Sequence, residues 1–281
     1  MLKTRSGIRL LGPADLPQVE ALLEREPITH VFVDHRVRLT RLQSRWLGGE
    51  MWGYVEDGNL VSLCHAAANL VPVHATPDAV RAFADRAVAK GRSCSSIVGP
   101  EDSVNQMWEA LEPYWGPARL VRGHQPFLVL DTAPRVEPDP LVRRVRPDEF
   151  DILYPACVKM FTEEVGVSPE AGGGKELYQA RVRQLISAGM AFARIEDGEV
   201  IFKAEIGAAT PRACQAQGVW VRRERRGEGL SVAGTAAVMA EALRSIAPVV
   251  TLYVNEHNLA ARRCYERVGF REHTWFTTIL F

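Results

Sequence analysis

Four arginines and two glycines crowd one short stretch, Arg222-Arg223-Glu224-Arg225-Arg226-Gly227-Glu228-Gly229-Leu230-Ser231. It follows an apolar strand that includes Val219, Trp220 and Val221, and it leads into a helix of small residues. Gly227 and Gly229 let the backbone turn sharply and approach a ligand closely. The free amides at the start of the helix then converge, and with the helix dipole they form a site for phosphate. Arg222, Arg223, Arg225 and Arg226 add positive charge nearby. The pattern is neither a Walker loop, since it has no G-K-[ST], nor a G-x-G-x-x-G dinucleotide fingerprint. Taken alone, it also reads as a basic, solvated turn between strand and helix.

A second group lies downstream. Thr251–Asn255 reads as a strand, and Asn258-Leu259-Ala260-Ala261-Arg262-Arg263-Cys264-Tyr265-Glu266-Arg267-Val268-Gly269-Phe270 follows it. Asn258 suits a helix N-cap and Gly269 a helix stop. At roughly 100° per residue, Ala261 and Tyr265 share a face with Asn258.

With both groups in this order, the chain resembles the GNAT superfamily of acyl-CoA-dependent N-acetyltransferases. Arg226-Gly227-Glu228-Gly229-Leu230-Ser231 resembles the family's [QR]-x-x-G-x-[GA] pyrophosphate loop, with Ser231 where Gly or Ala is usual. Asn258, Ala261, Tyr265, Gly269 and Phe270 resemble its N-x-x-A-x-x-x-Y-x-x-x-G-F element. The resemblance covers about residues 141–281. It implies acetyl-CoA as cosubstrate, with the pyrophosphate on the amides of 227–231 and pantetheine paired to backbone at Val219 and Val221. The pantetheine would lie in a cleft where the strands at 212–222 and 248–254 splay apart.

Acetyl transfer to an amine needs a neutral nucleophile, a stabilised oxyanion and a protonated leaving thiolate. The oxyanion can take the backbone N–H of Val219. Tyr265 can protonate the thiolate, because a phenol keeps its proton at neutral pH. The base is open between several groups. Glu205 shares a strand face with Lys203, which also suits a structural pair. Glu163 and Glu164 end a helix on what the resemblance makes the acceptor side. Gln215 and Gln217 can hold a water but take no proton, and His257 fits a surface turn. The candidate catalytic set is therefore Tyr265, Glu164 and Glu205. The candidate cofactor set is Val219, Val221, Arg226, Gly227, Glu228, Gly229, Leu230, Ser231 and Asn258.

These residues need a scaffold. In the second half the patterning predicts strands at about 141–146, 190–196, 199–208, 212–222, 248–254 and 271–281. Helices fall at about 148–162, 174–188, 229–245 and 258–268. The first half echoes the second. Ile8–Leu11 then Pro13-Ala14-Asp15 parallels Val142–Arg146 then Pro147-Asp148-Glu149, and Glu56-Asp57-Gly58 parallels Glu196-Asp197-Gly198 as hairpin turns. Where the second half has its glycine loop, the first has Val73-His74-Ala75-Thr76-Pro77-Asp78 and then a helix to Lys90.

The expected architecture is α/β, an α+β mixed sheet in two GNAT-like domains, each a strongly bent mixed β-sheet flanked by helices. Residues 1–130 form a degenerate GNAT-like domain without a phosphate loop, 131–140 a Pro-rich linker and 141–281 the catalytic domain. The first half is expected to pack on the active half and shape the acceptor pocket. Trp46, Trp52, Trp108 and Trp115 are read as core.

The 281 residues carry 34 Lys plus Arg against 34 Asp plus Glu, so no global field favours nucleic acid. No apolar run is long enough to span a bilayer, and the charged start, Met1–Leu10, is not a secretory signal. Cys64, Cys94, Cys157, Cys214 and Cys264 are odd in number and dispersed, as buried reduced thiols of a cytoplasmic protein would be. The histidines show no ligand spacing with them, so no metal is expected.

The function expected is acetyl-CoA-dependent N-acetyl transfer to a primary amine of a small molecule or a protein. The alternatives are a non-catalytic acyl-CoA sensor and an aminoacyl-tRNA-dependent transferase on the same doubled fold. A homodimer is compatible with the sequence, which does not fix the oligomeric state.

Overall fold

Two hairpins close on the Asp-Gly pairs. Asp57 and Gly58 have φ +49° and +84°, and Asp197 and Gly198 have +50° and +76°. Positive φ at both central residues is the type I′ turn, whose twist matches that of the strands it joins. The computed structural model describes residues 6–281; Lys3 and Arg5 of the charged start lie outside the described residues.

In chain order the first elements are β1 (Ser6–Leu11), α1 (Leu16–Leu23), α2 (Val31–Thr40), α3 (Ser44–Leu47), β2 (Glu50–Glu56), β3 (Asn59–Ala66) and β4 (Asn69–Val73). Next come α4 (Pro77–Lys90), β5 (Ser96–Pro100), α5 (Glu101–Trp115), β6 (Leu120–Leu130) and β7 (Arg143–Arg144). Then follow α6 (Phe150–Val165), α7 (Lys175–Ser187), β8 (Ala191–Glu196), β9 (Glu199–Ala209) and β10 (Cys214–Val221). The chain closes with α8 (Leu230–Ser245), β11 (Val250–Tyr253), α9 (Leu259–Val268) and β12 (Arg271–Leu280).

The chain divides into two units. The first comprises the residues up to Phe127 with Tyr253–Asn258 and Glu272–Phe281; the second comprises Leu128–Leu252 and Leu259–Arg271. In the first unit, β1, β2, β3 and β4 pair antiparallel in sequence, and β4 runs parallel to β5. The last strand of the chain, β12, pairs antiparallel with β5, from Phe276 opposite Pro100 to Leu280 opposite Ser96.

Period-two alternation builds the two cores of this unit. Met51, Leu63 and Val71 pack with Val19 and Leu22 of α1 and Val33 of α2. Their neighbours Trp52, Cys64 and Leu70 pack on the other face with Phe83 of α4 and Met107 of α5. Trp52 and Trp108 are buried, but Trp46 is 57% exposed, contrary to the core placement expected for it. In the four-residue helix α3 the buried place goes to the adjacent Leu47, and Arg45 stacks over the Trp46 ring.

In the second unit β7, β8, β9 and β10 pair antiparallel, and β10 meets β11 in parallel. Leu153 and Cys157 of α6 and Val182 and Leu185 of α7 pack on Ala191, Ala193, Val200 and Trp220. Helix α8 lies close to β9, since a β-carbon at Gly234 would come within 2.8 Å of the Phe202 ring. Residues 131–140 form no helix or strand. They are nevertheless fastened along this unit: the Arg135 amide donates to Val268 O at 2.8 Å, and the Asp139 amide to Ala233 O at 3.0 Å. The Asp139 carboxylate is ion-paired with Arg194 at 2.9 Å.

Candidate active site

Strand β10 is irregular in its middle. Its register with β9 jumps from Gln217 opposite Glu205 to Trp220 opposite Lys203. Gly218 and Val219 therefore face a single residue of the partner, which is a β-bulge. Gly218 has φ +61°, and a β-carbon there would meet Lys203 Nζ at 3.0 Å, Met160 Cε at 3.1 Å and Glu205 Cδ at 3.2 Å. Only glycine fits both the conformation and the space. The bulge takes Val219 out of the β9 ladder.

On its other edge β10 pairs with β11 only at Cys214–Val250 and Gln215–Thr251, although it continues to Val221. The two strands part where the sequence analysis expects a splay.

Beyond β10, a single turn of 3-10 helix, Arg223–Arg225, leads into the glycine loop. Gly227 and Gly229 adopt φ +92° and +79°, and a β-carbon at either would meet nothing within 4 Å. Helix α8 opens on Gly229 with no side-chain cap. Its first-turn N–H groups, around Leu230 and Ser231, lie where helix geometry offers no internal acceptor. This arrangement suits a diphosphate: an uncapped helix start, an open face and glycines that bring backbone donors forward.

The arginines are arranged differently from the sequence expectation. Arg222 binds Glu199 and Glu224, Arg225 binds Glu228 and Glu196, and Arg226 binds Glu163 at 2.6 Å. Arg226 also donates to Val221 O at 3.1 Å. Much of the loop's positive charge is thus balanced locally, and Glu228 serves as an arginine partner. The amides, rather than a net cationic field, are the loop's main means of holding an anion.

Helix α9 carries Tyr265, which is 8% exposed and packs edge-to-face on Phe270 with ring centroids 5.7 Å apart. Gly269, at φ +115°, ends the helix, and the Phe270 amide donates back to Tyr265 O at 3.0 Å. This is the Schellman pattern that a glycine stop permits. Cys264 contacts Thr235 Oγ1 at 3.8 Å and so ties α9 to α8. Burial, with the charges of Cys264 and Glu164, pushes the Tyr265 phenol above its ordinary range. The residue keeps its proton at neutral pH. Asn258 stands directly before α9, its amide donating to Asn255 O at 2.9 Å.

Glu164 is exposed at the end of α6. Its neighbour Glu163 accepts from Trp220 Nε1 at 3.3 Å besides binding Arg226, which links α6 to β10 and to the glycine loop. Glu205 lies buried beneath the bulge. It accepts from Lys203 Nζ at 3.0 Å and from Gln217 Nε2 at 2.8 Å. Burial alone would raise its carboxyl, but the Lys203 ammonium and the Gln217 amide outweigh that and hold it below the usual range. Taking up a proton would break a buried ion pair, so Glu205 is a poor base and a good support for the bulge. Gly218 is a functional position beyond the candidates named from the sequence, although a lone glycine within a strand pattern is a recognised sign of a bulge.

The corresponding turn of the first unit is built differently. Thr76 Oγ1 accepts from the Ala79 amide at 3.3 Å, and Pro77 supplies no N–H at all. Of the first-turn donors that α8 leaves open, one is thus taken by the cap and one is absent at the start of α4.

Residues 159–270 match the profile of the acetyltransferase (GNAT) family. Residues 49–153 match a domain of unknown function, DUF4081. No curated protein matches the chain. Among solved structures, a GNAT-family acetyltransferase from Colwellia psychrerythraea is similar over 98% of this chain and 99% of its own, with 12% identity and a TM-score of 0.58. A GCN5-related N-acetyltransferase from Sphaerobacter thermophilus is similar over 100% and 97%, with 17% identity and a TM-score of 0.61. A tandem GNAT protein from the clavulanic acid biosynthesis pathway is similar over 98% of both chains, with 14% identity and a TM-score of 0.55. At these identities the likeness is one of fold, and it extends over both units.

Proposed function

From the premise that this chain belongs to the GNAT acetyltransferases, its family domain covering residues 159–270, we propose that it moves an acetyl group from acetyl-CoA to a primary amine. One observation carries the reading: the bulged strand β10 parts from β11 and runs into an uncapped, glycine-opened helix start at 227–231. The diphosphate rests on the amides of Gly227–Ser231, and the pantetheine arm follows the backbone at Val219 and Val221. Arg226 borders this path. Acetyl-CoA supplies the activated thioester.

The protein's own groups do the rest. The amine nitrogen attacks the thioester carbonyl, and the Val219 N–H stabilises the oxyanion that forms. As the carbon–sulfur bond breaks, the Tyr265 hydroxyl gives its proton to the departing thiolate. Glu164, exposed at the end of α6, receives the ammonium and draws off its proton, directly or through water. Glu205 is assigned to holding the bulge with Lys203. The first half binds no acyl-CoA, a reading supported by the Thr76 cap and Pro77 at the start of α4. A cytoplasmic setting is supported by the five cysteines, all free and buried. Among the described residues no helix is long and apolar enough to cross a membrane.

Titration calorimetry with acetyl-CoA, CoA and tRNA tests the reading. Both CoA species bind at one site per chain and tRNA does not. Gly229→Val weakens CoA binding at least about tenfold with unchanged circular dichroism, because its φ of +79° excludes a branched residue. Binding of tRNA without CoA overturns the proposal. Mass spectrometry of a metabolite extract incubated with the protein and labelled acetyl-CoA then identifies the acceptor by its labelled product; CoA binding with no labelled product from any amine leaves a sensor instead.

A further inference from the structure

The first unit brings together three side chains that no linear spacing suggests. Glu26 and His30 lie one turn apart between α1 and α2, and the His30 amide donates to Glu26 O at 3.1 Å. His74 follows β4, in the turn that leads to α4. One potential ligand atom from each of the three lies within 4.8 Å of the other two.

The surroundings of the two imidazoles point to a ligand. His30 is 4% exposed, and its Nε2 stands 3.8 Å from Glu26 Oε2. Its ring meets that of His74 edge-on, with centroids 4.6 Å apart. His74 Nε2 is buried with no hydrogen-bond partner. The Leu22 backbone lies beside the His74 ring. His74 also holds the left-handed conformation, φ +47°, a strained arrangement of the kind that collects at binding sites.

We propose that Glu26, His30 and His74 bind one divalent transition-metal ion of the zinc class, clasping the α1–α2 turn to the β4–α4 turn. Two imidazoles and a carboxylate suit zinc rather than magnesium or calcium, which prefer all-oxygen shells. Zinc bond lengths set tetrahedral ligand atoms about 3.4 Å apart. The three ligand atoms now lie within 4.8 Å of one another, and the Glu26 side chain, 58% exposed, has room to change rotamer. The three residues leave a fourth position for water. The site stands on residues outside the acyl-transfer machinery and does not depend on that assignment.

The test uses the full, untagged chain, stripped with chelator and titrated with Zn²⁺, with Mg²⁺ as control. One equivalent of Zn²⁺ binds and raises the melting temperature, and Mg²⁺ does neither. Co²⁺ in its place gives visible d–d absorption of a nitrogen–oxygen donor set. Glu26→Gln, on an exposed turn, and His74→Asn, which tolerates the left-handed backbone, each weaken Zn²⁺ at least about tenfold. Absence of Zn²⁺ uptake by the wild type at tenfold molar excess overturns the proposal. So does Zn²⁺ binding that both variants leave unchanged.

Discussion

Tyr265 shows how a single side chain acquires its chemistry from its setting. Its phenol is buried on α9, and burial together with the nearby Cys264 and Glu164 charges raises its proton affinity. It is therefore an acid that stays loaded through the physiological range and beyond the usual phenol titration. Tyr265→Phe is expected to lower turnover about 10²- to 10³-fold while leaving the acetyl-CoA dissociation constant within about twofold. Thiol release at saturating substrates, read beside calorimetry, checks both values.

Glu149 is a structural counterpart. The Arg143 guanidinium, reinforced by the Arg146 amide, lowers its carboxyl from 4.5 to about 2. A carboxyl depressed in the folded state contributes stability above its unfolded value and loses it as pH falls through the folded one. The wild type is therefore expected to be more stable than Glu149→Gln near neutrality, by about 1–3 kcal/mol. The advantage fades from pH 4.5 down to about 2, as melting curves across that interval will show.

Helices and strands carry the second set of consequences. The β10 bulge exists because residue 218 has no side chain. Gly218→Val forces a branched residue into φ +61° and against Lys203, Met160 and Glu205. A loss of about 1–3 kcal/mol is expected, with weaker acetyl-CoA binding because the bulge also frees Val219. Chemical denaturation and calorimetry measure the two effects separately.

The elements themselves were largely legible in the sequence. The helix expected at 229–245 is α8 (Leu230–Ser245), and that at 258–268 is α9 (Leu259–Val268). Glycine punctuation and a 3.6-residue period mark such boundaries locally. The turns at Asp57-Gly58 and Asp197-Gly198 were legible for the same reason. Less legible was whatever depends on partners distant in the chain. The arginines of the glycine loop read as free charge, yet Glu163, Glu196 and Glu199 come from other elements to bind them. Trp46 reads as core by residue type alone, and only the packing of Leu47 leaves it outside. The gathering of Glu26, His30 and His74 depends on how β4 ends relative to the α1–α2 turn, which no spacing rule encodes.

Considered entire, the chain does not distribute its strands in the order it reads. β12 completes the first unit by pairing with β5, although α6 to α9 of the second unit lie between them in sequence. Deletion of residues 272–281 is therefore expected to damage the first unit. Without its partner, β5 keeps one ladder instead of two, and the core around Ile97 loses Ile279. Hydrogen exchange at the amides of Ile97–Gly99 should accelerate by at least about tenfold, whereas those of β8 and β9 should change much less.

The same pairing sets a timetable for biosynthesis. Strands β1 to β4 of the leading module are already threaded out of the ribosome when Pro100 emerges, yet the edge of β5 that β12 will pair stays bare while the trailing module is translated. For that interval a nascent molecule offers an apolar, hydrogen-bond-hungry rim to any passing strand, including the late ribbon of a neighbouring copy on the same polysome. Slow elongation through the intervening codons would lengthen that exposure, and exchange of β12 between copies is the misassembly to which this topology is most open.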